Sequence, residues 1–369
     1  MSALVIREGR VIDPANGLDG PADVVIVDGK IEAVGPGLKA RSGATELSAR
    51  GLWVVPGLVD LRCKLSGTAD AADAARGGFT TVVATWDSVQ VATPIRVLRA
   101  APLTRGAEDQ ELGDVPPGIA CLSDGFTPVS RAGLMRRALQ YVRPLGTVLM
   151  VHAEDRTLSG KGVLGEGFEA TRLGLLPVPA SAETVAVARD LMLLEEIGGR
   201  IHFAHLTCAG SVRLLREARA RGLKVTADVA VSHLLLCDED ARGYSPRARV
   251  WPPLRPTAER QALREALVEG VISAVASDHT RPDPTEDLLQ RELPFDEQRP
   301  GAATLPIVAA AVLGLGLKPA RAIELLTSGP VGVLGLELGS LSPGRPGDVT
   351  LLEPERRAVA AVIACGQKL

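Results

Sequence analysis

A chain of 369 residues with 46% hydrophobic content holds enough apolar mass for one large α/β barrel or for two to three ordinary domains. Its net charge of −3 gives no electrostatic case for binding nucleic acid or an anionic membrane.

Arg7, Glu8 and Arg10 interrupt the apolar start, so no signal peptide is read there. Residues 2–55 then read as short strands: Leu4–Ile6, Arg10–Ile12, Val24–Val27, Lys30–Val34 and Leu52–Val55. Asp28-Gly29 stands between two alternating apolar runs and predicts a tight hairpin. From there strands alternate with helices. Barrel-type strands are predicted at 56–61, 80–85, 118–123, 147–152, 200–206, 224–230, 248–251 and 272–277. Helices are predicted at about 69–76, 131–142, 181–198, 210–221, 257–269 and 303–315. Eight strands, each followed by a helix, predict a (β/α)8 barrel over 56–334. Polar residues 104–116 read as a surface connection. The apolar run 302–317 contains Pro306 and is too short to span a membrane, so it is read as a helix packed on the barrel. The C-terminal end returns to strands, at 347–352 and 358–365. Cys63, Cys121, Cys208, Cys237 and Cys365 are odd in number and form no Cys-x-x-Cys, which fits free thiols in a reducing cytosol.

Several short stretches carry more than structure. Pro56-Gly57-Leu58-Val59-Asp60-Leu61-Arg62-Cys63-Lys64-Leu65 opens a buried strand. Alternation sends Arg62 and Lys64 to one face and Cys63 to the other. Gly77-Gly78-Phe79-Thr80-Thr81-Val82-Val83, Ser123-Asp124-Gly125, Val151-His152-Ala153-Glu154-Asp155 and Ile201-His202-Phe203-Ala204-His205-Leu206-Thr207 follow. Then come Val225-Thr226-Ala227-Asp228 with His233-Leu234-Leu235-Leu236, Pro252-Pro253-Leu254-Arg255, and Ala276-Ser277-Asp278-His279. In this order the words resemble the dihydroorotases and related cyclic amidohydrolases, over nearly the whole chain.

The resemblance implies an α/β fold: a (β/α)8 barrel, with residues 1–55 and 335–369 combining into a small flanking β-sandwich. It also implies a zinc site at the barrel mouth, where such enzymes keep their chemistry. His152, His205 and Asp278 match the family's later metal ligands, and Asp278 also matches its general base; Asp124 matches a bridging aspartate. Two imidazoles and one or two carboxylates suffice in principle for one zinc.

The remainder of the implied site is missing. Arg62 and Lys64 stand where the resemblance implies two zinc-binding histidines. Like charges at metal distances repel by several kcal/mol even at an effective dielectric of about 20. Arg62 and Lys64 are therefore expected to replace the metals electrostatically, neutralising Asp278 and Asp124. Ser66 replaces a substrate-binding arginine, Asp87 an asparagine amide, Trp251 another asparagine, and Pro282 the last loop histidine. His202 reads as a core residue, His233 as a structural hydrogen-bonder and His279 as an anchor of the last loop.

The expectation is a cytoplasmic, dihydroorotase-like protein of pyrimidine biosynthesis that has lost the reaction, with no cofactor. Its implied partner is the catalytic chain of aspartate carbamoyltransferase, and it is read as a homodimer. The alternative is an active zinc-dependent cyclic amidohydrolase, interconverting dihydroorotate and N-carbamoyl-aspartate on a reduced metal site. A third reading is an anion-binding module using Arg62, Lys64, Arg255 and Arg281.

Overall fold

A computed structural model describes residues 3–39, 41–282 and 292–369. Two compact units divide the chain: residues 1–84, 88–98 and 305–369, and residues 85–87 and 99–304.

Both chain ends build one eight-stranded sheet. Ala3–Asp13 is a single strand rather than the two short ones expected, bent by a bulge between Ile6 and Gly9. Glycine is needed there because a Cβ on residue 9 would lie 2.3 Å from a methyl of Val54. Leu18–Val27 and Lys30–Gly35 form the predicted hairpin. Asp28 and Gly29 both take positive φ, 47° and 76°, as a twist-matched two-residue turn requires. Val349–Glu353 then pairs with Trp53–Pro56 on one side and Ala358–Ala364 on the other, joining the two termini of the sequence. Ile6, Val24, Ile26, Val54, Leu351 and Ile363 close its core.

The second sheet holds eight strands in chain order: Leu58–Cys63, Phe79–Ala84, Arg96–Pro102, Cys121–Ser123, Leu149–His152, Ile201–Ala204, Val225–Ala230 and Ala274–Ala276. The paired strands run parallel, and helices intervene. This is the (β/α)8 arrangement the sequence predicts, with two corrections. The third strand is Arg96–Pro102, which the sequence reading missed. It has no apolar alternation: Arg96, Val97 and Leu98 are half-buried, Arg99 is exposed, and only Ala100 and Ala101 lie inside. Conversely, 248–251 is no strand. Ala248 and Val250 are apolar because they enter a satellite core with Val163, Leu164, Leu254 and Phe295. The helix expected over 303–315 is shorter, a 3-10 turn at Leu305–Ile307 followed by Val308–Gly314.

Helix Ser181–Ile197 buries a carboxyl, Asp190, beside Arg189. Burial pushes this group up to about 6, and Arg189 only partly offsets it. A carboxyl whose pKa is raised on folding holds its proton more tightly when folded. Stability is therefore greatest below the unfolded value near 4 and falls as pH rises to about 6. Asp190→Asn keeps the acceptor for Arg189 and removes this cost. We expect it to add about 1–3 kcal/mol at pH 7 and little near pH 4, measured by urea unfolding. Equal gains at both pH values would refute the assignment.

Candidate functional site

The sequence-selected residues of the larger unit lie where its strands end. Asp124 directly follows strand Cys121–Ser123, His152 closes Leu149–His152, His205 directly follows Ile201–Ala204, and Asp278 lies two residues beyond Ala274–Ala276. The carboxyl ends of parallel strands are where side chains of several strands can meet. His205 and Asp278 both hold left-handed backbone, with φ of 42° and 50°. Non-glycine residues adopt it at a cost of about 1–3 kcal/mol, and such strain collects at functional sites.

The two imidazoles meet directly. Nδ1 of His152 lies 2.8 Å from Nε2 of His205, and both rings are buried. Phe126 stacks on His205 with centroids 5.5 Å apart and an interplanar angle of 12°. On its other edge, Nε2 of His152 lies 3.0 Å from a carboxylate oxygen of Glu154 and 3.2 Å from the indole nitrogen of Trp251. Burial pushes the Glu154 carboxyl up, but its bond to His152, Ser159 and the nearby charge of Arg156 bring it below the usual carboxylate range. Asp278 stands at ion-pair distance from the outer nitrogen of His205, 3.8 Å from Nδ1.

The backbone is fixed as firmly as the rings. Asp124 accepts from the amide of His152 at 2.8 Å. Asp228, fully buried within its strand, accepts from the amide of His205 at 2.6 Å and lies 2.8 Å from Nε2 of His202. Thr226 lies on the other nitrogen of His202, at 2.9 Å, so His202 is a satisfied core residue as the strand alternation predicts. His233 donates from Nε2 to the carbonyl of Pro252 at 2.9 Å, and burial pushes its pKa down to about 4, which keeps it neutral. His279 accepts from the amide of Thr304 at 3.0 Å and so ties the two ends of segment 279–304 together.

Of the other positions singled out, Asp87 accepts from the hydroxyl of Thr85 at 2.7 Å. Pro282 is exposed. In the other unit, Arg62 is buried on strand Leu58–Cys63, Lys64 directly after it is half-buried, and the backbone amide of Ser66 donates to Asp70 at 2.6 Å. Three contributors to the imidazole pair carried no assigned role in the sequence reading. Glu154 and Asp228 lie within the motifs that carry the resemblance, and Phe126 gives no sequence signal.

Whether zinc fits can be judged from distances. A catalytic zinc takes three protein ligands and a water, with Zn–N near 2.0–2.1 Å. Two nitrogens on one tetrahedral ion therefore stand roughly 3.3 Å apart. Here they stand 2.8 Å apart, the separation of an N–H···N hydrogen bond. Asp278 approaches the wrong nitrogen of His205, and His152, His205 and Asp278 do not each bring a ligand atom within 4.8 Å of one another. As folded, the pair offers two ligands and does not fit a catalytic zinc centre.

A family model described as the amidohydrolase family matches residues 122–368. The chain is 40% identical to a dihydroorotase of Pelotomaculum thermopropionicum, over 95% of this chain and 89% of the relative. It is equally 40% identical to one of Anaeromyxobacter dehalogenans, over 95% and 88%. This chain belongs to the amidohydrolase family, in its dihydroorotase group. Solved structures bear out the fold. An L-hydantoinase (dihydropyrimidinase) from Arthrobacter aurescens superposes with a TM-score of 0.82 at 20% identity, covering 100% of this chain and 96% of its own. A dihydropyrimidinase from Brevibacillus agri gives 0.82 at 18%, covering 99% and 94%. Among the described residues, no helix is long and apolar enough to cross a membrane.

Proposed function

We propose that this chain is a dihydroorotase-like protein of pyrimidine biosynthesis without hydrolytic activity. It would act in the cytoplasm as a homodimeric structural partner of the aspartate carbamoyltransferase catalytic chain. The observation that carries the loss of activity is the closed imidazole pair: His152 and His205 at hydrogen-bond distance, with Asp278 on the outer nitrogen. The charge of Arg62 and Lys64, at positions where the resemblance implies neutral zinc ligands, points the same way. A barrel keeps its stability when its chemistry goes, because the packed layers and the strand ends are separate sets of residues.

One observation favours the alternative, an active enzyme on a reduced zinc site. Glu154 beside the far nitrogen of His152 is the carboxylate placement that orients a ligating imidazole. Metal content and turnover decide between the two. The expected result is no zinc above trace in the purified protein, and no conversion of dihydroorotate or N-carbamoyl-aspartate even after zinc is added. One zinc per chain with turnover would overturn the proposal. The partnership has its own test: the purified chain should comigrate with the carbamoyltransferase catalytic chain on a sizing column, and separate elution would sink that part.

A further inference from the structure

Away from the imidazole pair, the larger unit buries a guanidinium that its own neighbours do not satisfy. Arg249 is 7% exposed, and among the described residues neither its Nε nor its Nη1 has an acceptor. The opposite charge that acts on it belongs to Asp296, which is exposed and accepts from neither nitrogen. Burial pushes the pKa of Arg249 down, and Asp296 only partly offsets this. The ring of Phe295 lies 6.0 Å from the guanidinium carbon. A cation–π contact at that range returns only part of what burying a charge costs. Arginine cannot escape the cost by losing its proton, so a buried guanidinium calls for acceptors.

The side chain is held where it is. The Arg249 amide donates to the carbonyl of Pro246 at 3.0 Å, and the Arg249 carbonyl accepts from the amide of Gly301 at 3.0 Å. Phe295 is itself buried, in the satellite core that also takes Ala248 and Val250 from either side of Arg249. Tyr244 tilts against Phe295 with ring centroids 6.4 Å apart. A long arginine side chain ordinarily carries its head out to water. Here the head stays inside, against an aromatic face.

We infer that Arg249 anchors an anion subsite that takes the carboxylate of a small molecule. The planar donors of a guanidinium match the oxygens of carboxylates and phosphates. Charge chooses between the two. One positive charge beside an apolar core is balanced by a monoanion, whereas a phosphate dianion would bring a second, uncompensated charge into the same surroundings. A bridging water is the competing partner; it would satisfy donors and leave the charge unbalanced. Whether zinc binds at His152 and His205 has no bearing on this site.

The test is a titration of the full-length protein with acetate, and separately with inorganic phosphate, at constant ionic strength. The readout is the Nε–H signal of Arg249 in nitrogen-15 NMR, with urea unfolding alongside. Acetate should shift that signal saturably and stabilise the protein as its occupancy rises. Arg249→Lys keeps the charge and loses the planar donors; Arg249→Met loses both. Acetate binding should weaken at least about tenfold in either variant, the scale of a hydrogen bond to a charged group. An unmoved Nε signal in the wild type, or acetate binding that survives both substitutions, would overturn the inference. So would an Arg249→Met protein more stable than the wild type by the same amount with and without acetate, because Arg249 would then be a buried charge that nothing offsets. Tighter binding of phosphate than of acetate would overturn the assignment to a carboxylate. The wild-type titration stands even if a variant fails to fold.

Discussion

Asp228→Ala should destabilise the protein by about 3–5 kcal/mol, because it orphans two buried donors at once. The amide of His205 loses its 2.6 Å acceptor and Nε2 of His202 loses its 2.8 Å partner, both at sites with almost no solvent access. Asp228→Asn separates the two losses. Its amide oxygen can still serve His205, and His202 can move its proton to Nδ1 and donate to Thr226. The asparagine variant should therefore lose no more than about half as much. Urea unfolding of the three proteins checks this, and equal losses for alanine and asparagine would show that the two hydrogen bonds are not what Asp228 supplies.

The second large effect belongs to Glu183, in the first turn of helix Ser181–Ile197. Its buried carboxylate accepts from the amide of Thr207 at 2.8 Å, from the Thr207 hydroxyl, and from the amide of Cys208 at 3.1 Å. These groups belong to the turn that leads from His205 into helix Ala209–Ala220. Glu183→Ala leaves two backbone donors unpaired, at about 1–3 kcal/mol each. We expect a loss of about 2–5 kcal/mol in unfolding experiments, together with faster amide exchange at Thr207 and Cys208. A loss below about 1 kcal/mol would mean that water or a shifted backbone replaces the carboxylate.

The fold was more legible in the sequence than the site was. Period and punctuation located the helix over 257–269 to the residue, because Pro256 precedes it and Gly270 ends it in left-handed backbone. The same reasoning missed Arg96–Pro102 and misplaced a strand at 248–251. Both errors share a cause: apolar residues mark burial, and burial also occurs in loop cores such as the one around Phe295. A barrel strand whose inner residues are alanines gives little apolar signal in return.

At the site, the strand-end histidines were legible because motif and alternation agreed on them. His202 was assigned to the core on alternation alone, and its bonds to Thr226 and Asp228 show the reason. The partners of the pair were not legible. Glu154 follows the end of its strand, where alternation no longer says which way a side chain turns. Phe126 reaches His205 through the turn after Asp124, and no local pattern encodes that path.

The shared sheet of the two termini has a consequence for how the chain comes into being. Trp53–Pro56 finds its antiparallel neighbour in Val349–Glu353, far along the polypeptide. During synthesis that strand waits with one edge unpaired until almost everything between has left the ribosome. Closing so long a loop costs roughly 5 kcal/mol of chain entropy, by the logarithmic dependence on length. Until it closes, the exposed edge offers a template for pairing with other nascent chains. The last strands therefore act as a lock on assembly, and a chain stopped short of residue 349 would leave the ribosome ready to aggregate rather than merely incomplete.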